Sequence, residues 1–241
     1  HPLKREIIAT HVLNSMVNRV GATFVHRLSE STGAAAPQVV RAYLLAREVF
    51  GHVDLWQQIE ALDNKVPDEV QAQMLIEEGW LTARATTWFL RSHRLAEPMA
   101  GTMARLRVAV EALATRLAPE AARAPQDQRW TAAGVPAPLA ARIASALQLL
   151  DALDIAEVAE TAGRGFEEVS EMHGAVGRQL GLQRLRQQID ALPGGTYWAN
   201  RARSALGDDL AGLQRALTQQ VLGMGQGGSA DLIAAWTRAH A

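Results

Sequence analysis

The glycine-rich run Gly223-x-Gly225-x-x-Gly228 has the lettering of a dinucleotide-binding fingerprint. That chemistry needs a strand before the run and a crossover helix after it, so that backbone amides meet a pyrophosphate at a helix N-terminus. Here helical periodicity from Leu210 to Leu222 leads into the glycines, and too little chain follows for a βαβ unit. A flexible helix–helix connection is the better reading, and no cofactor-binding residue is assigned. The histidines His1, His11, His26, His52, His93, His173 and His240 contain no i, i+4 pair and no HExxH, so no metal-ligand set is assigned either. The adjacent acids Glu77-Glu78, Glu167-Glu168 and Asp208-Asp209 point about 100° apart on a helix, which makes them solvated faces rather than convergent acid/base dyads. Serines and threonines lack a GxSxG context or an evident base. With no cysteine, disulfides, thiolate metal sites and thiol nucleophiles are excluded. No catalytic residue is assigned.

One polar stripe stands out. His11 shares a helix with Thr10, Asn14, Ser15 and Asn18, beside an apolar face. Hydrogen bonds to a neighbouring helix or to solvent would account for it. The sharper expectation is contact with another part of a larger protein, through His11, Asn14 and Asn18. The tryptophans at 56, 80, 88, 130, 198 and 236 are expected to pack helices together, with Trp130 and Trp236 as candidates for covering a partner surface.

The elements that must carry these residues are helical. Leu3, Ile7, Ile8, Val12, Met16, Val17 and Val20 follow i, i+3/i+4 spacing, and Gly21 stops the run. Further helices are expected from Phe24 to Gly33, from Pro37 to Gly51, and over Leu55–Leu62. Pro67-Asp68-Glu69 opens a long one that runs to about Ser92: a proline at the start, then acids near the positive end of the dipole. Pro98 opens another that ends near Pro119. Helices resume at Leu139 and continue over 153–162, 166–180, 182–192, 197–222 and 230–239. Alternating β-branched runs bounded by turn pairs are missing, so the fold class is all-α, a multi-helix bundle.

The same unit is written twice. With Gly33 placed on Gly163, Gly51 falls on Gly181, Leu55 on Leu185, Gln57-Gln58-Ile59 on Gln187-Gln188-Ile189 and Ala61-Leu62 on Ala191-Leu192. One inserted residue later, Arg84-Ala85 meets Arg215-Ala216. This predicts two similar helical subdomains from an internal duplication. The first spans 1–117 (repeat unit about 22–93) and the second 139–241 (repeat unit about 152–222). The Ala- and Pro-rich stretch 118–138 is expected to be a loose connection.

Lys and Arg number 24 against 25 Asp and Glu, a net charge of −1, so no nucleic-acid or membrane-surface footprint is expected. Arg91, His93 and Arg94 read as a solvated helix end. No apolar run approaches the roughly 20 residues that span a bilayer, no signal peptide is visible, and the absence of cysteine fits a reducing compartment. A cytoplasmic location is expected. The chain starts His1-Pro2 rather than with Met, which suggests a boundary inside a longer polypeptide.

Several segments carry a family resemblance. They are residues 1–21, Thr23-Phe24-Val25, Val40–Phe50, Ile59–Val66, Ala85–Arg91, Asp154–Ala159, Asp208–Leu210 and Gln214–Thr218. Together they resemble the C-terminal helical region of the large bacterial NAD-specific glutamate dehydrogenases, strongly over 4–91, fairly over 139–222 and weakly over 94–138. The resemblance implies a parent enzyme that oxidatively deaminates L-glutamate with NAD, in long oligomeric subunits whose glutamate-binding lysines, catalytic aspartate and nucleotide-binding fold lie in a central domain. None of those motifs can be placed on this chain. The implied role is a non-catalytic helical domain that supports the parent's catalytic domain, subunit contacts or regulation, with NAD bound elsewhere in the parent. The alternative is a helical protein- or effector-binding module.

Overall fold

The computed structural model describes residues 3–193 and 195–240; His1-Pro2 and the chain start lie outside the described residues. Among the described residues there are helices and no strand, and the chain is all-α. Contacts divide it into two compact units, His1–Leu150 and Asp151–Ala241.

The first unit holds α1 (Lys4–Val20), α2 (Phe24–Thr32), α3 (Ala36–Val49), α4 (His52–Glu60), α5 (Asp68–Arg91), α6 (Met99–Ala121), α7 (Pro125–Ala132) and α8 (Ala137–Ala144). Local chemistry sets the boundaries. The α3 start is closed by Gln38, whose side-chain oxygen accepts from the Ala35 N–H at 2.8 Å. Asp68 and Glu69 occupy the first turn of α5, where the exposed N–H groups favour negative charge. The centre of the unit is α3, which buries Val39, Ala42, Tyr43, Leu45, Ala46 and Val49 against α2, α4, α5 and α6.

The stretch expected to be a loose connection is structured instead. Pro125 starts α7, where a missing N–H costs nothing. Trp130 is fully buried (0% exposed) in a core with Leu55, Ile59, Leu62 and Met74, joined by Val135, Leu139 and Ile143. One large aromatic ring supplies the apolar area that the flanking Ala, Pro and Gln residues lack. Trp130 is therefore a core residue of the first unit, not a cover for a partner surface, and the division between units falls after Leu150.

The second unit holds α9 (Asp151–Ala162), α10 (Phe166–Gln179), α11 (Leu182–Asp190), α12 (Tyr197–Leu222) and α13 (Ser229–His240). Its order matches part of the first. Both α3 and α10 have 14 residues, and both α4 and α11 have 9. Gly51 and Gly181 precede the shorter helices with left-handed φ of 62° and 61°, a conformation that only glycine adopts without strain. Helix α3 packs on α2, α4 and α5; α10 packs on α9, α11 and α12. A Cβ on Gly177 would lie 2.8 Å from the Gln214 side-chain nitrogen, so α10 and α12 meet closely at a residue without a side chain.

Candidate functional site

Helix α1 is held by little. Met16 is its only buried residue, while Leu3, Ile7, Ile8, Leu13 and Val17 are exposed although sequence spacing placed most of them on a packed face. At 3.6 residues per turn, His11, Asn14 and Asn18 lie roughly 140–160° around the helix from Met16. All three are exposed, and Leu3 and Ile7 continue the same outward side. The structure thus brings the three sequence candidates together as one mixed apolar and polar face.

A buried polar network lies beneath α1. Glu78, on α5, sits at an inward position between Met74 and Leu81 and is 4% exposed; His52, on α4, is 2% exposed. The His52 Nδ1–H donates to Glu78 Oε1, Thr82 Oγ1 donates to the same oxygen at 2.9 Å, and Trp56 Nε1–H donates to Oε2 at 2.7 Å. Burial pushes the Glu78 carboxyl up, but the hydrogen bond and charge of His52, with the hydrogen bonds of Trp56 and Thr82, outweigh it and hold the group below its ordinary range. Burial also raises the nearby Tyr43 phenol, partly offset by Arg47 and Arg19. The Arg19 guanidinium lies 4.4 Å from the centre of the Trp56 ring, tying α1 to the network.

A histidine and a carboxylate in contact could pass a proton. The cavity beside them, lined by Arg19, Tyr43, Arg47, His52, Glu78 and Thr82, has a volume of about 10 Å³, room for one water molecule. The pair joins α4 to α5. Sequence reading assigned Glu77-Glu78 to a solvated face. Glu77 does bond other polar side chains, Gln73 and Gln126, but Glu78 turns inward. The available signal was Glu78 in register with Met74, Leu81 and Ala85 on the apolar stripe of α5.

The second unit has a different network. The Gln214 side-chain amide donates to the His173 carbonyl at 2.9 Å, and Arg186 donates to Gln214 Oε1 at 2.7 Å and to both Asp151 oxygens at 3.3 Å. His173 Nδ1 lies 3.1 Å from Thr218 Oγ1. Arg215 reaches Asp154 at 2.9 Å and Glu157 at 3.3 Å. These contacts join α9, α10, α11 and α12. The glycine run 223–228 links α12 to α13, and a helix precedes it where the nucleotide motif needs a strand. Among the described residues no cluster of three or more His, Asp or Glu is placed to hold a metal. No described helix is long and apolar enough to cross a membrane. Trp80 and Trp198 are exposed, at 51% and 73%, and do not serve as the packing residues sequence reading made them.

What this geometry defines is an all-α region whose buried polar groups fasten helices to one another and whose first helix presents an open face. The chain belongs to the family described as "Glutamate dehydrogenase, C-terminal", which it matches over residues 1–241. It is 38% identical over 255 residues to an NAD-specific glutamate dehydrogenase of Halomonas elongata, covering 100% of this chain and 15% of that protein. The enzyme of the same name from Pseudomonas aeruginosa is 41% identical over 235 residues (94% of this chain, 14% of that protein). One from Mycobacterium tuberculosis is 28% identical over 244 residues (98% and 15%). The chain therefore spans about one-seventh of the length of these relatives.

Proposed function

We propose that this chain is the non-catalytic C-terminal helical region of an NAD-dependent glutamate dehydrogenase. The parent reaction is L-glutamate + NAD⁺ + H₂O → 2-oxoglutarate + NH₄⁺ + NADH + H⁺, carried out in the cytoplasm by a homo-oligomer whose NAD and substrate sites lie outside residues 1–241. The family match across the whole chain carries this reading. The burial of the His52–Glu78 pair beside a space of only about 10 Å³ supports it. The region's partner is the catalytic part of the same polypeptide, and the α1 face bearing His11, Asn14 and Asn18 makes the contact.

The test is deletion of this region from the full-length enzyme, with oligomer mass and glutamate turnover measured together. The expected result is a lower mass, lower turnover, or both. Unchanged values for both would refute the supporting role, and NADH production by the isolated region would refute its non-catalytic character.

The two units are also read as copies of one ancestral unit. The paired glycines of left-handed φ, the equal helix lengths and the equal order of neighbours around α3 and α10 support this.

A further inference from the structure

In the first unit, Leu55, Ile59 and Leu62 from α4 and its C-terminal turn, with Met74 from α5, form a groove that is filled. Trp130, Val135, Leu139 and Ile143 of the α7–α8 hairpin lie in it, and the groove residues are at most 6% exposed. The second unit has the same groove without a filling. Leu185, Ile189 and Leu192 stand where Leu55, Ile59 and Leu62 stand. Burial sets the register of the long helices: Glu78, Thr82 and Thr86 on the inner side of α5 match Leu210, Gln214 and Thr218 of α12. That is one residue beyond the pairing of Arg84-Ala85 with Arg215-Ala216, and it puts Leu206 in the place of Met74. Leu185, Leu192, Leu206 and Leu213 are 38%, 42%, 45% and 51% exposed. They border an open, nearly all-apolar groove of about 360 Å³ with Asp209 on its rim. The last helix, α13, packs on α10 and α12 and leaves the groove open.

We infer that the α11–α12 groove is a docking site for an amphipathic helix from the part of the full-length polypeptide outside residues 1–241. The inference rests on the reading of the two units as copies and on the proposed membership in a longer enzyme. The filled groove states the chemistry of the occupant. It presents bulky aliphatic or aromatic side chains to the leucines, as Trp130 does. In the first unit Arg142 of α8 also donates to the Phe50 and Gly51 carbonyls at 3.1 and 3.2 Å and to Asp54 at 3.1 Å. The equivalent turn, Leu180-Gly181, has the same backbone conformation, but Arg184 stands where Asp54 stands, so the occupant needs no basic residue there. A handful of leucines falls short of the roughly 20–30 residues a side of a free-standing interface. Tethering in one polypeptide supplies the effective concentration that so small a contact needs, and relatives about seven times longer than this chain have the length to provide it.

The test uses the full-length enzyme with Leu192→p-benzoylphenylalanine, irradiated and mapped by mass spectrometry. The expected cross-link is to a helical peptide outside residues 1–241, with its yield reduced at least tenfold by Leu206→Asp with Leu213→Asp. Both aspartates replace exposed side chains, and unchanged helicity of the double variant confirms that the loss is one of docking. Cross-linking to 182–222 of a second copy, to residues 1–150, or to no peptide would each overturn the proposal. Failure of α2–α5 and α9–α12 to superpose would remove the copy reading alone, and the cross-link would still report on the groove.

Discussion

Removing the Glu78 carboxylate from the first unit offers a stringent check on the packing. In Glu78→Ala, the N–H groups of His52 and Trp56 and the Thr82 hydroxyl lose their common acceptor at a position 4% exposed. Breaking one side of a buried pair costs about 3–5 kcal/mol, a fall in melting temperature of roughly 6–20 °C for a chain of this size. Glu78→Gln keeps the shape but exchanges charge-assisted bonds for neutral ones, a loss on the order of 1–3 kcal/mol. Because the folded carboxyl is held below its ordinary range, the folded state binds fewer protons than the unfolded chain in that interval. The stabilisation is complete above the unfolded pKa, about 4.3, and disappears as the pH falls through the lower folded value. Urea unfolding of wild type and both variants at pH 7 and at steps below pH 4.5 would read this directly. A loss under about 1 kcal/mol for Glu78→Ala at pH 7, or a wild-type advantage over Glu78→Gln that persists in acid, would refute the account of the network.

Other outcomes follow from single contacts. Trp130→Ala empties the centre of the α4–α5–α7–α8 core and should cost about 3–5 kcal/mol by thermal unfolding, the behaviour of a core residue. Gly181→Ala meets no neighbouring atom and should lose only the roughly 1–2 kcal/mol of left-handed strain. Gly177→Ala instead displaces the Gln214 amide from the His173 carbonyl, which a urea titration would detect as a lower midpoint, while α10 itself gains helix propensity. Combined His11→Ala, Asn14→Ala and Asn18→Ala should shift the stability of this chain by no more than about 0.5 kcal/mol per site, since all three are exposed. In the full-length protein the same three changes should loosen this region from the rest of the polypeptide, read as faster limited proteolysis between the two.

Helix boundaries were legible wherever local chemistry wrote them. Pro67-Asp68-Glu69 announced α5, and Gly51 and Gly181 marked the turns into α4 and α11. Helix α7 escaped because a single tryptophan among small and polar residues gives no periodic signal, although its buried ring anchors the unit. Glu78 escaped because two adjacent acids look alike in sequence, and only the tertiary partner at His52 separates the inward one from Glu77. The leucines of α11 and α12 showed the opposite limit. Periodicity marks an apolar side but does not say whether anything covers it, so Leu55 and Leu185 read the same and end at 2% and 38% exposure. For the α1 candidates composition and spacing were legible in the residues, and the fold added that the three side chains face outward together.

The Arg19–Trp56 stack makes the protein its own fluorimeter. The indole has a cation 4.4 Å from its ring centre, delivered by α1, and gives its N–H to a carboxylate 2.7 Å away on α5. Indole emission responds to charges at both places, so any tug on the loosely held first helix changes the colour of light from residue 56. A version keeping Trp56 and replacing the remaining tryptophans with phenylalanine would signal engagement of the outer side of α1 without an added dye.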